Sequence, residues 1–88
     1  MNAAFRKSFT RALLAVRDQS LLVRVRSIIE AVEQAHSLGE IANLEKITGW
    51  KRYYRIRVGD YRVGLVVEGN TVTFVRFLHR RDIYRYFP

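Results

Sequence analysis

Two glycine-led dipeptides, Gly59-Asp60 and Gly69-Asn70, constrain this chain more than any other feature. Each separates runs rich in β-branched and aromatic residues: Tyr53 to Val58, Tyr61 to Val67, and Thr71 to Leu78. A two-residue turn between such runs reads as a tight hairpin. Residues 53–78 are therefore expected to form a three-stranded antiparallel meander. Turns this short also set register, and register decides which side chains share a face. Val58 then pairs with Tyr61, Arg57 with Arg62, Ile56 with Val63, Leu65 with Phe74 and Glu68 with Thr71.

Alternation along the strands predicts one apolar face of Tyr54, Ile56, Val58, Tyr61, Val63, Leu65, Val67, Val72, Phe74 and Leu78. Only Arg76 interrupts it. The opposite face carries Tyr53, Arg55, Arg57, Arg62, Gly64, Val66, Thr71, Thr73, Val75, Phe77 and His79. Three arginines and a histidine are thus expected on one side of the sheet. Arg57 directly opposite Arg62 is costly, by about 0.2–1 kcal/mol for like charges across a strand pair. Either Asp60, Asp82 or solvent relieves it, or an incoming phosphate does. Gly64, opposite Arg55, leaves room for a backbone or base to approach, or marks a bulge.

The first half reads differently. Phe5, Phe9, Leu13 and Val16 recur at helical spacing, and Phe5 also suits the end of a short initial strand. A break at Asp18-Gln19-Ser20 offers Asp18 or Ser20 as the cap of a second helix. That helix shows Leu21, Leu22, Val25, Ile28, Ile29 and Val32 on one face, with Gly39 as its stop. Residues 40–50 read as a connector with a helical turn near Ile41 to Leu44, and residues 80–86 as a short coil. The expected fold is α+β: an N-terminal helical hairpin packed on a twisted antiparallel sheet, in a single domain spanning 1–88.

At 88 residues, 49% of them hydrophobic, the chain is too apolar for a disordered tail and long enough for one domain. It has no cysteine, hence no disulfide framework or thiolate metal site. Its two histidines, His36 and His79, do not make a zinc site alone. No apolar run approaches the roughly 18–20 residues of a membrane span, and no signal-peptide pattern opens the chain. A cytoplasmic location without membrane contact is expected.

The net charge of +8 is unevenly placed: residues 1–50 hold 7 cations and 5 acids, residues 51–88 hold 9 and 3. Arginine supplies 13 of the 16 cations, and its planar fork grips phosphate through paired hydrogen bonds. The C-terminal run adds His79, Arg80, Arg81, Tyr84 and Arg85. Of these, only the histidine titrates near neutrality when unperturbed, and surrounding cations favour its neutral, basic form. The pattern points to a nucleic-acid partner.

The blocks YYRIRVGDYRVG (Tyr53 to Gly64) and FVRFLHRRDIYRYFP (Phe74 to Pro88), with FRKSFTRAL (Phe5 to Leu13) and NLEKITG (Asn43 to Gly49), resemble the RelE/ParE superfamily of type II toxins. The resemblance spans essentially the whole chain. It implies a toxin with a cognate antitoxin as partner. In the RelE-like branch it implies a ribosome-dependent endoribonuclease that cuts mRNA in the A site, with operator DNA met only through the antitoxin. Arg55 and Arg57 stand where RelE-like toxins place basic residues on a strand. Arg62 matches the arginine after the next strand's tyrosine, Arg80 the arginine after the last strand, and Tyr84 the C-terminal tyrosine. His79 falls where several members have histidine. The resemblance therefore implies catalytic roles for Arg55, Arg57, Arg62, His79, Arg80 and Tyr84.

Some members carry lysine where Arg55 and Arg57 stand. Arginine effectively cannot give up a proton, so the base is expected to be His79 or Tyr84, or else charge alone accelerates the reaction. With no carboxylate cluster on this face, metal-independent chemistry without a cofactor is expected: the RNA 2′-hydroxyl attacks the adjacent phosphate. Two alternatives stand beside this reading. One is a ParE-like DNA gyrase inhibitor, and the other a catalytically degenerate nucleic-acid-binding homologue.

Overall fold

The meander forms as its two turns require. The computed structural model describes residues 1–88. Strands β3 (Tyr53–Val58), β4 (Tyr61–Glu68) and β5 (Thr71–His79) run antiparallel, flanked in the chain by β1 (Asn2–Phe5), β2 (Leu44–Lys46) and helices α1 (Lys7–Leu14), α2 (Gln19–Gln34) and α3 (Ile83–Tyr86). Gly59 and Gly69 have φ of 59° and 58°. Tight hairpins that match the sheet's twist need this left-handed conformation at their first turn position, and glycine adopts it without a Cβ penalty. The expected pairs Val58–Tyr61, Arg57–Arg62, Ile56–Val63, Leu65–Phe74 and Glu68–Thr71 are all present.

The sheet is larger than the meander, in the order β1-β5-β4-β3-β2. β1 runs parallel to β5, with Asn2 beside Thr71 and Phe5 beside Phe74. A strand therefore opens the chain and the sheet is mixed, which corrects the expected N-terminal helical hairpin on an antiparallel sheet. The two consecutive helices follow that strand, α1 packing mainly on β5 and α2 on β1 and β3. The helical turn expected near Ile41 to Leu44 lies earlier, as a 3₁₀ turn at Leu38–Glu40, and the expected connector instead contains β2, which pairs with β3.

The helices bury one face of the sheet. Phe9, Leu21, Val25 and Val32 pack with Ile56, Val58, Val63, Leu65, Val72 and Phe74, each contributing about 1.5–3 kcal/mol for a fully buried large apolar side chain. Asp18 caps α2: its Oδ1 accepts from the amides of Ser20 (3.0 Å) and Leu21 (3.2 Å). The helix ends at Gln34, short of Gly39, because Ala35 turns extended. The Met1 ammonium then donates to the carbonyl of Ala35 (2.6 Å) among the last carbonyls of the helix.

One irregularity changes the faces. Between Gly64 and Leu65 the β4–β5 register shifts, so Gly64 pairs with Arg76 while Leu65 pairs with Phe74. Val75 is the extra residue of a β-bulge, and its carbonyl accepts from the Ser8 hydroxyl of α1. Beyond the bulge every side chain of β5 changes sides relative to simple alternation. Phe77, expected on the polar face, is buried in the main core, and Leu78, expected in that core, packs on the other side.

Candidate nucleic-acid interface

The sheet face away from α1 and α2 is partly roofed by the chain's end. Ile83 and Phe87 are buried there with Ile47, against Tyr53, Val75 and Leu78. A Cβ on Gly64 would meet three carbons of the Phe87 ring at 2.8–2.9 Å. Of the two readings of Gly64, room for a ligand fails because that ring fills the space, and the bulge holds, with the register shift beside it.

Beside this roof lie the arginines. Arg57 faces Arg62 across β3 and β4, and Arg76 faces Gly64, whose other neighbour is Arg55. Arg76 thus joins the arginine face instead of interrupting the core. Its place in an otherwise apolar series was, with Gly64, a trace of the bulge in the sequence. Arg57 is exposed. Arg62 turns back on its own hairpin, donating from Nη1 to the carbonyls of Gly59 (3.0 Å) and Tyr61 (2.9 Å).

Arg55 is held more tightly. Its side chain is 20% exposed and its Nη2 lies 3.4 Å from Glu45 Oε2. Its guanidinium carbon lies 4.8 Å from the centroid of the Tyr84 ring, a cation–π contact. Its Nε is buried with no hydrogen-bond partner. The other ion pairs are Arg26–Glu30 and Arg52–Glu68. Neither Asp60 nor Asp82 pairs with Arg57 or Arg62, and no acid within ion-pair distance offsets Arg57, Arg62, Arg76 or Arg80.

His79 is the exception among the expected site residues. The bulge pairs it with Tyr61, whose ring stacks on Phe77 at 5.0 Å beside the main core. The imidazole meets the Tyr61 ring edge-on at 5.5 Å. It therefore sits at the rim on the helix side of the sheet, not with Arg57 and Arg62, which corrects the expected convergence. Its Nδ1 accepts from the amide (3.2 Å) and Nε (3.3 Å) of Arg81, which assigns the ring proton of the neutral form to Nε2. Arg80 follows at the strand's end with its amide donating to the Asp60 carbonyl at 2.7 Å, and its side chain is exposed. Tyr84 is 67% exposed above Arg55.

The fold thus unites Arg55, Arg57, Arg62 and Tyr84 on one face, adds Arg76, and separates His79. Chemically the face offers fixed guanidinium charge and a phenol beside it. Such charge is worth most where negative charge develops on a phosphoryl group.

The sequence matches the model of the ParE toxin of type II toxin–antitoxin systems (parDE) over residues 3–84. The chain belongs to this toxin family. The toxin is also 43% identical to Toxin RelE3 of Methanocaldococcus jannaschii over the full length of both chains. Its fold is similar to that of the RelB–RelE antitoxin–toxin complex from Methanococcus jannaschii, with 42% identity, a TM-score of 0.82 and coverage of 97% of this chain and 99% of that one. The isolated RelE toxin of Escherichia coli shares the fold at 12% identity, with a TM-score of 0.67 and 98% coverage of both chains.

Proposed function

We propose that this toxin is a ribosome-dependent endoribonuclease that cleaves mRNA through the 2′-hydroxyl of the substrate. The observation that carries this reading is the arginine face: Arg57 opposite Arg62 and Arg76 beside Gly64, none offset by an acid, next to Arg55 under an exposed tyrosine. The 2′-oxygen attacks the adjacent phosphorus, the bond to the 5′-oxygen breaks, and a 2′,3′-cyclic phosphate and a 5′-hydroxyl result. Arg55, Arg57, Arg62 and Arg80 hold the phosphate and the charge that grows on its oxygens. Tyr84 orients the nucleotide and takes part in proton transfer. His79, at the opposite rim, does not reach the linkage. Acid–base equipment is therefore sparse, and positioning by the ribosome supplies much of the rest, an effect worth up to roughly 7–11 kcal/mol.

The cognate antitoxin is the second partner. The 42%-identical relative was solved as a RelB–RelE complex. The toxin also presents an apolar cleft between its helices, lined by Leu13, Leu14, Val16 and Leu22, with Leu14 86% exposed. An apolar antitoxin segment suits that cleft, and an acidic one suits the arginine face.

Primer extension on mRNA after induced expression tests the activity. Discrete cuts within translated frames are expected, lost in Arg62→Ala, with naked RNA cut poorly. Rapid cutting of naked RNA would remove the ribosome from the reading. The gyrase alternative draws on the ParE family match. Inhibited DNA supercoiling by purified toxin, with mRNA intact, would establish it instead.

A further inference from the structure

Next to the arginine face, on the far side of Arg55, lies a second cavity. It measures about 300 Å³, is lined by Lys46, Thr48, Trp50, Arg55, Tyr84 and Pro88 among others, and no acidic side chain lines it. That volume stands at the lower end of the roughly 300–1,000 Å³ of small-ligand sites, enough for one planar group. Two of its walls are exposed aromatics, Trp50 at 51% and Tyr84 at 67%.

Trp50 is held in place for such a role. Its ring meets Tyr53 edge-on at 5.6 Å, and Tyr53 in turn packs on Phe87 at 5.6 Å. Its carbonyl accepts from Lys46 Nζ at 2.9 Å, and Gly49 before it turns through φ of 85°. The indole face is therefore pre-oriented while half of the residue stays in water. Burying large aromatics leaves no such surface behind; an exposed, braced aromatic in a cavity that Lys46 and Arg55 also line is a stacking platform.

We propose that this cavity is a base subsite: it takes the base of an RNA nucleotide adjoining the scissile linkage, stacked on Trp50. Arg55 borders both the cavity and the arginine face, so one strand of RNA passes from phosphate contacts on the face to base contacts in the cavity. The Thr48 hydroxyl and Lys46 supply polar contacts for the base edge. The cationic, mixed polar lining matches a nucleotide better than an apolar peptide. This inference rests on reading the outer face as an RNA surface.

Trp50 is the single tryptophan of the chain, so its fluorescence reports occupancy without any cleavage. Titration of the intact toxin with nucleoside 5′-monophosphates should give saturable quenching, with free nucleoside weaker and inorganic phosphate silent. By calorimetry with a trinucleotide that lacks a cleavable 2′-hydroxyl, Trp50→Ala should weaken binding about 5- to 100-fold, the range for losing one base–aromatic stack, and Trp50→Phe should restore most of it. Quenching by inorganic phosphate equal to that by nucleotide, or unchanged trinucleotide affinity in Trp50→Ala, would overturn the subsite. A toxin that binds the trinucleotide through Trp50 yet leaves mRNA intact would keep the subsite and remove the ribonuclease reading. One that cuts mRNA while Trp50→Ala binds normally would do the reverse.

Discussion

The Phe87 ring occupies the space a side chain on Gly64 would need: a Cβ there would lie 2.8 Å from its nearest carbon. Gly64 is therefore a contact residue in which the absence of a side chain is the packing surface. It seats the C-terminal roof, and through α3 it seats Tyr84 over Arg55.

Gly64→Ala is expected to force the roof outward. Overpacking of this kind costs about 1–3 kcal/mol, read as a lower denaturant midpoint. Because the clash is with a ring rather than backbone, Phe87→Leu in the same chain should recover part of the loss. Additive effects in that double-mutant cycle would mean the two residues do not touch in solution.

Arg57 and Arg62 face each other with no acid between them. Arg57→Thr leaves the Arg62 bonds to Gly59 and Tyr61 in place, relieves the repulsion and suits a strand. It should raise stability by about 0.2–1 kcal/mol at low salt. The gain should fade near 1 M salt, where the screening length falls to about 3 Å. mRNA cleavage should fall at least tenfold in the same variant. A stability gain coupled to lost activity identifies a charge kept for its ligand. Unchanged stability at low salt would show that the pair is not repulsive.

These relationships were unequally legible in the sequence. The turn glycines fixed the pairing of β3, β4 and the start of β5, because two-residue loops leave no slack. Gly64 offered the bulge as one of two readings, and the register shift does fall beside it; the extra residue itself was not legible, since Val75 looks like any strand residue. That single insertion moved Arg76 into the site and His79 out of it. β1 is four residues long, too short to show a period, and its partner β5 lies at the far end of the chain. Phe87 against Gly64 and Trp50 beside Tyr84 are likewise long-range meetings that no local pattern announces. Asp18 is the opposite case: the break at Asp18-Gln19-Ser20 narrowed the cap to Asp18 or Ser20, and Asp18 takes it.

Asp18 also gives the fold a pH dependence. The Ser20 hydroxyl hydrogen bond, followed by the Leu21 amide, holds its carboxyl below its ordinary value. A carboxyl with a lowered folded pKa contributes stability that is complete above its unfolded value, near 3.9, and is lost as pH falls through the lowered folded value. Melting curves between neutral pH and strong acid should therefore converge for the parent and Asp18→Ala, the variant being less stable at neutrality. Asp18→Asn, which still accepts from the helix amides, should lie between them at neutral pH. Parallel curves for parent and Asp18→Ala down to the acid limit would show that the capping carboxylate adds nothing.

His79 provides the sharpest division between a histidine-based and a charge-based nuclease. Its ring rests edge-on against Tyr61 and its Nδ1 is engaged by Arg81, on the other side of the sheet from Arg57. His79→Ala should therefore cut ribosome-bound mRNA near the parent rate, and its pH–rate profile should overlay the parent's. Its cost should appear in stability instead, about 0.5–1.5 kcal/mol for a lost aromatic contact. Arg62→Ala removes a fixed cation from the phosphate and should lose about 10²–10³-fold in cleavage, as deletion of one transition-state donor does. A His79→Ala toxin as inactive as Arg62→Ala, with the fold intact, would return the imidazole to the reaction and require the end of β5 itself to rearrange when RNA binds.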